Sequence, residues 1–257
     1  MFYFLSFLYG AAIGSFVQVV ATRLNAAPII RSRSKCLSCG EALRVSDLIP
    51  LVSYLFLKGK CKYCKVPYGI ETLVIEIGFG VVFMLVYHFI LTGSAAVVAL
   101  GWLIYYTLIF ISLGVIALYD YKHSYVPIVF LGLFSFLSIV MLGMRYTYDG
   151  GVAVLLGPLV VALPFLLIWI FTRGRALGFG DVLLYLAVGA FFGIEQGLAV
   201  LLISVWLGAI VGIIVYLQRR RTHNTNTAIP FVPFIVAAFL IVLFTDIGIF
   251  SIASLFA

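Results

Sequence analysis

Long apolar segments alternate with short polar ones along almost the whole chain. Eight apolar runs can be distinguished by the charged, glycine or proline residues that bound them. They are Phe2–Thr22, Glu71–Leu91, Ala95–Tyr119, Val126–Gly143, Gly151–Phe171, Asp181–Phe192, Gly197–Leu217 and Ile229–Phe250. Because a helix needs about 20 apolar residues to cross a bilayer, most of these runs are long enough to do so. The pattern predicts an all-α polytopic membrane protein with about eight transmembrane helices.

Composition supports this prediction. Of the 257 residues, 65% are hydrophobic and only 10% are charged, whereas a soluble domain carries about 25% charged residues. So few polar residues could not cover the surface of a soluble protein, and so hydrophobic a chain would not be disordered. A soluble globular protein and an intrinsically disordered one are therefore both excluded.

The basic residues indicate the orientation in the membrane. With eight crossings, the loops on one side carry 15 of the 16 Lys and Arg residues, and the other side holds only Arg145. Basic loops face the cytoplasm, so both termini are expected outside and the basic loops inside. The sixth run is short, but omitting it would place Arg219–Arg221 on the outer side. The net charge of +7 then reflects insertion and contact with lipid, and we expect no nucleic-acid partner.

Three parts follow from this topology: a first transmembrane helix (1–22), a cytoplasmic insert (23–70) and a seven-helix membrane domain (71–257). The insert holds all four cysteines, Cys36, Cys39, Cys61 and Cys64. Two such Cys-x-x-Cys pairs can bind one Zn²⁺ tetrahedrally, giving a zinc-ribbon-like insert. A segment this small needs a metal in place of a large core. Two disulfides or four free thiols are the alternatives, although the reducing cytoplasm disfavours disulfides.

Two of the nine acidic residues stand where an apolar run meets a cytoplasmic loop. Asp120 ends the third run, and Asp181 opens the sixth after Gly178 and Gly180. Two carboxylates can hydrolyse a peptide bond when one activates water and the other donates a proton. Asp181 would lie at the N-terminal end of its helix, which favours an ionised carboxylate, and Asp120 at the C-terminal end of its helix, which disfavours one. This suggests Asp181 as the initial base and Asp120 as the acid. Taken singly, Asp120 could be an interfacial anchor beside Lys122 and Asp181 a helix N-cap.

The ordered motifs resemble those of the bacterial type IV prepilin peptidases. The resemblance runs nearly end to end, and it departs at Gln18, where that family often has Asn, and near Glu71, where the family's arginine is missing. The matching segments are Gly14-Ser15-Phe16, the four-cysteine region Cys36–Cys64, Asp120 followed by Pro127, Gly178-Phe179-Gly180-Asp181, and Ile229-Pro230-Phe231-Val232-Pro233-Phe234.

The resemblance implies an aspartic peptidase that cleaves the leader of type IV prepilin or pseudopilin precursors at the cytoplasmic face of the inner membrane. It further implies methylation of the new N-terminus from S-adenosylmethionine. Asp120 and Asp181 would be catalytic, and Glu76, which has a counterpart in the family, has either a structural role or one in methyl transfer. One competing hypothesis is a non-enzymatic transporter or assembly scaffold with a zinc-stabilised loop. A second is a GxGD protease that cuts within the bilayer and does not need the zinc insert.

Overall fold

The structure is a computed structural model. It describes residues 1–24, 35–36, 38–67, 69–93, 95–149, 151–175, 177–219 and 230–254. Within those ranges it is helical and contains no strand longer than an isolated bridge, which confirms the all-α prediction. Six of the described helices are long and apolar enough to cross a membrane.

The helices follow the apolar runs closely. A single π-turn, Tyr87–Leu91, extends the third helix, and short 3₁₀ segments occupy Val45–Leu48 and Val152–Leu156. The helices are α1 (Phe2–Arg23), α2 (Val52–Leu57), α3 (Glu71–Val86), α4 (Ala96–His123), α5 (Ile128–Asp149), α6 (Gly157–Thr172), α7 (Phe179–Arg219), α8 (Val232–Thr245) and α9 (Ile249–Ala253).

The chain forms two compact units, Met1–Ile111 and Ser112–Ala257, and their boundary falls inside α4. The first unit contains the insert and the second contains both candidate catalytic aspartates. The three parts predicted from the sequence (1–22, 23–70 and 71–257) describe how the chain crosses the membrane, not which residues pack together. That division stays a prediction.

In the first unit, α1 packs on α3 through small residues. A Cβ on Gly14 would lie 2.9 Å from the Cβ of Phe79, and one on Gly80 would lie 2.6 Å from the ring of Phe7. Each helix therefore offers a glycine to a phenylalanine of the other. Close backbone approach of this kind is how helices associate where lipid removes the hydrophobic driving force.

In the second unit, α7 is a hairpin that reverses at Gly193. This glycine has φ 77° and ψ −163°, which is not helical. A Cβ on Gly197 would lie 3.5 Å from the Cα of Gly189, although eight residues of straight helix span about 12 Å. The hydroxyls of Tyr185 and Ser204 also meet, at 2.6 Å. The first arm (179–192) and the second arm (194–219) therefore run antiparallel.

The hairpin matches the sixth and seventh predicted runs, which the sequence separates at residues 193–196. A side chain other than glycine is strained at this φ, so Gly193 is the residue that permits so tight a reversal. The two arms together make up one of the six membrane-length helices. The first arm is as short as α8, an apolar helix of 14 residues. The count of eight crossings stays a prediction.

Arg145 stabilises the reversal. Its guanidinium donates to the carbonyl of Phe191 at 3.2 Å, next to Gly193. Carbonyls at the end of a helix lack intrahelical donors, and a cation there also complements the helix dipole. Arg145 is the one basic residue that the predicted topology places on the outer side, and this contact gives it a structural role there.

Candidate functional site

Asp120 lies in the last turn of α4 and is only 7% exposed. Its own carbonyl accepts the N–H of Ser124 at 2.7 Å, closing that turn. Its carboxylate accepts the backbone N–H of Val232 at 3.1 Å, and the N–H of Phe231 also points at it. The side chain is thus held at the beginning of α8.

Asp181 lies in the first turn of α7, as its third helical residue, and is half-buried. Its carboxylate accepts the backbone N–H of Gly178, just before the helix. This backward reach is that of the acidic residue in a capping box. Asp181 therefore accepts a backbone N–H that would otherwise be unpaired at the start of α7. The N-cap interpretation of the sequence expected a similar role, but Asp181 plays it from inside the helix rather than from the residue before it.

The two carboxylates interact electrostatically across the second unit. A close approach of backbone supports this meeting, because a Cβ on Gly180 would lie only 2.9 Å from the Cβ of Val126. Gly180 thus allows the start of α7 to pack against the segment that follows α4. The glycines at 178 and 180 suggested that the backbone before Asp181 packs closely against another segment. The structure shows that Gly180 packs against Val126.

The second helix beside Asp120 changes the electrostatic argument for the roles of the pair. From the sequence, the only helix end known to lie beside Asp120 was the C-terminal end of α4, which disfavours a negative charge on its carboxylate. The structure adds the N-terminal end of α8, which favours one. Val232 is the first residue of that helix and follows Phe231, its N-cap. Sequence reasoning missed these two backbone donors, although the prolines at 230 and 233 marked a helix start. Ile229, the first residue of the motif Ile229–Phe234, lies outside the described residues.

The four cysteines of the insert converge on one point. Their sulfurs all lie within 4.8 Å of one another, so they could hold a metal ion. The Sγ atoms of Cys36 and Cys64 are 3.8 Å apart, and all four thiols are free. Four sulfurs at about 2.3 Å from a tetrahedral Zn²⁺ would be about 3.8 Å apart, whereas disulfide sulfurs are about 2.05 Å apart. The donor set and its spacing fit zinc.

The two cysteine pairs form the same turn twice. The N–H of Cys36 donates to the carbonyl of Glu41, and the N–H of Cys61 donates to that of Val66, both at 2.9 Å. Four residues after the first cysteine of each pair, the backbone has positive φ, at Gly40 (74°) and Lys65 (60°). We call these two turns the knuckles.

Each knuckle directs backbone N–H groups at the sulfur of its first cysteine. The N–H groups of Cys39 and Ser38 lower the pKa of Cys36, and those of Cys64 and Tyr63 lower the pKa of Cys61 to about 6. At Cys64 the N–H of Val66 also lowers the pKa, but burial and the neighbouring thiols together raise it to about 11. A metal ion binds the thiolate form, so a bound cation would favour deprotonation of Cys64.

Glu76 is buried in α3, with 4% of its surface exposed. Its Oε2 accepts the backbone N–H of Leu51 at 2.8 Å, and the hydroxyl of Ser15 also hydrogen-bonds its carboxylate. One carboxylate thus joins α1, α3 and the insert. The structural role that the sequence analysis allowed for Glu76 has specific partners, while a role in methyl transfer stays a prediction.

Two family models cover most of the chain. Residues 8–90 match the bacterial peptidase A24 N-terminal domain, and residues 107–213 match the type IV leader peptidase family. The first match contains the four cysteines and Glu76, and the second contains Asp120 and Asp181. No solved structure matches the chain.

Curated relatives bear the name prepilin leader peptidase/N-methyltransferase. The protein of Myxococcus xanthus is 31% identical over 231 residues, which are 86% of this chain and 66% of the relative. That of Pseudomonas putida is 29% identical over 274 aligned positions, covering 94% and 90% of the two chains. That of Pseudomonas aeruginosa is 30% identical over 220, covering 82% and 70%. With six apolar helices, these likenesses indicate an integral inner-membrane protein.

Proposed function

The chain belongs to the type IV leader peptidase family, and we propose that it cleaves the leader from type IV prepilin or pseudopilin precursors by an aspartic mechanism. Asp120 and Asp181 are the catalytic pair in this proposal. The observation that carries it is geometric: the start of α7, which holds Asp181, packs through Gly180 against Val126, six residues after Asp120. The two aspartates are 61 positions apart and come from different helices. Buried or half-buried carboxylates in apolar helices are functional candidates by default.

The reaction needs one ionised and one protonated carboxylate. The ionised group takes a proton from water as the water oxygen attacks the scissile carbonyl carbon. The protonated group then supplies the proton that the leaving amine takes when the C–N bond breaks. Each carboxylate receives backbone N–H groups at a helix start, Asp120 from α8 and Asp181 from α7. Since both helix ends favour a negative charge, we propose a pair that shares one proton and titrates as a unit.

The peptide bond is proposed to be cut at the cytoplasmic surface of the membrane. Support comes from the positions of both aspartates, each within one turn of a helix end. The same ends carry basic residues, Lys122 after Asp120 and Arg173 and Arg175 before Asp181. Because basic residues mark the cytoplasmic side, the active site would face the cytoplasm and both termini would lie outside.

We further propose that the new N-terminal amine is methylated, with S-adenosylmethionine as the methyl donor. The names of the relatives support this step. Glu76 is the residue of the first unit that we connect with it, because it is a buried carboxylate in the N-terminal family match. Its hydrogen bonds to Leu51 and Ser15 also give it a structural role.

The four cysteines are proposed to hold one structural Zn²⁺. Cys36, Cys39, Cys61 and Cys64 would fill all four positions of a tetrahedral site, leaving none for a substrate. Purified protein should then contain one zinc per chain. Cys61→Ser should release it and make the insert sensitive to protease, whereas Ser38→Ala, in the first knuckle, should keep it. Wild-type protein without metal would contradict the proposal.

The peptidase proposal is tested with purified protein in lipid vesicles and a pilin-like precursor, read by mass spectrometry. Asp120→Asn and Asp181→Asn should each remove leader cleavage while the protein still inserts. Asp47→Asn, in the insert, is the matched control and should cleave normally. Full cleavage by both aspartate variants would overturn the aspartic mechanism and favour the scaffold or transporter hypothesis. A mass gain that depends on S-adenosylmethionine tests methylation separately.

A further inference from the structure

An apolar stripe lies exposed on the insert. Its members are Leu48, Ile49, Val52, Leu55 and Phe56, and all are exposed. Leu55 is 70% and Phe56 83% exposed, which is unusual for large apolar side chains outside the membrane helices. Val52, Leu55 and Phe56 have the spacing of one helix face. Leu48 and Ile49 precede that helix, and the positive φ of Leu51 separates them from it. α2 presents the last three members on that face.

The stripe is attached to a membrane helix at a defined depth. The N–H of Leu51, at the start of α2, donates to the carboxylate of Glu76 at 2.8 Å. Glu76 lies five residues inside α3, which is about 7.5 Å along the helix axis. One turn nearer the end of α3, Thr72 accepts a hydrogen bond from Gln18 of α1 at 3.0 Å. The stripe therefore begins beside the ends of α1 and α3 that lie next to the insert in sequence.

The segment that carries the stripe is rich in basic residues. Residues 23–70 contain nine Lys and Arg residues and only two acidic residues, Glu41 and Asp47. Lys58 and Lys60 follow α2 directly, and both are exposed. An apolar face flanked by lysines is the composition of a segment that lies in the plane of an anionic membrane surface.

We propose that residues 48–56 form an interfacial anchor, with the apolar stripe inserted at the boundary between headgroups and acyl chains of the anionic cytoplasmic leaflet. The proposal rests on the orientation given under the proposed function, but not on the peptidase reaction. The lysines contact lipid phosphates, and Glu76 holds the anchor at its depth. Other occupants of the stripe would be a precursor, a second copy of this chain or residues 112–257 of the same chain.

A photo-cross-linking experiment separates these occupants. The photoreactive residue p-benzoylphenylalanine is placed at position 56 of the full chain in vesicles containing phosphatidylglycerol. Position 136 is the positive control, because Phe136 is exposed on the apolar helix α5. Position 63 is the matched control, because Tyr63 is exposed on the second knuckle but lies outside the stripe. Products are identified by mass spectrometry after illumination.

We expect lipid adducts at position 56 with a yield near that at 136 and several-fold above that at 63. Protein adducts at 56 instead, whether to a precursor, to a second copy or within the chain, would overturn the proposal. Absence of any adduct at 56 while 136 reacts would also overturn it, because the stripe would then face water.

Lipid charge is tested in the same system. Replacing phosphatidylglycerol by phosphatidylcholine, or introducing Lys58→Glu with Lys60→Glu, should lower the lipid adduct at position 56 but not at 136. Equal yields would overturn the role of the lysines. Introducing Asp120→Asn should leave the adduct unchanged, so failure of the anchor and failure of the peptidase are distinguishable.

Discussion

The carboxylate of Asp120 accepts a hydrogen bond at 3.1 Å from the backbone N–H of Val232, which lies 112 positions later in the chain. The contact joins the end of α4 to the beginning of α8. It also brings a helix N-terminus to a buried acidic side chain, where its positive end stabilises an ionised carboxylate. The start of α8 is therefore part of the proposed active site, through its backbone rather than its side chains.

Removing this backbone donor should impair cleavage. Val232→Pro eliminates the N–H, and proline is well tolerated as the first residue of a helix. A hydrogen bond to a charged group contributes about 1.5–3 kcal/mol, so we expect cleavage to fall about 10- to 150-fold. Val232→Ala keeps the N–H and is the control for loss of the buried side chain. Equal rates for the two variants in a precursor cleavage assay would show that the donor is unimportant.

A methyl group at position 180 should also reduce cleavage. Gly180→Ala would place a Cβ 2.9 Å from that of Val126, so the start of α7 must shift away from the segment after α4. A displacement of a few tenths of an ångström moves Asp181 relative to Asp120, and catalysis is sensitive to such a displacement. Gly132→Ala, in α5 of the same unit, is the matched control, since nothing lies within 4 Å of a Cβ placed there. The prediction fails if both variants cleave the precursor equally well.

The repeated knuckle predicts two opposite effects on zinc affinity. Lys65 has φ 60°, which costs free energy for any residue but glycine. Lys65→Gly should strengthen zinc retention against a chelator by about fivefold, corresponding to about 1 kcal/mol. Gly40→Ala, at φ 74° in the other knuckle, should weaken retention by a similar factor. Chelator competition that moves both variants in the same direction would contradict this interpretation.

Two buried serines of the second unit should differ in their effect on stability. The hydroxyl of Ser138 is buried and has no hydrogen-bond partner among the described residues, so Ser138→Ala should leave the unfolding temperature unchanged or raise it. The hydroxyl of Ser204 donates to the carbonyl of Leu201 and accepts from Tyr185, which is fully buried. Ser204→Ala leaves the tyrosine unpaired and should destabilise by about 1–3 kcal/mol. Thermal unfolding in detergent compares the two, and a larger loss for Ser138→Ala would refute the assignment.

Much of the fold could be predicted because the membrane leaves few choices. An apolar run must become a helix in lipid, so the runs beginning at Phe2, Glu71 and Ala95 anticipate helix positions within a few residues. The cysteine cluster was equally accessible, because a metal site is defined by residue type and spacing. Gly193 was harder to anticipate, since the sequence suggested a break of four residues where the structure reverses at one.

The partners of the buried carboxylates could not be derived from local patterns. Asp120 finds Val232, and Glu76 finds Leu51 and Ser15. Such contacts depend on which helices become neighbours, and nothing in a hydropathy profile specifies that. The exposed apolar stripe was missed for a related reason. Whether its apolar residues are buried or exposed depends on tertiary packing, and the structure places them on the outside of the insert.

The reversal at Gly193 also ties the two arms of α7 to one backbone position. Only Glu195 and Gln196 are polar at this turn, and no longer loop separates residues 179–192 from residues 194–219. A substitution that strains Gly193 would therefore disturb both arms at once, including the arm that begins beside Asp181.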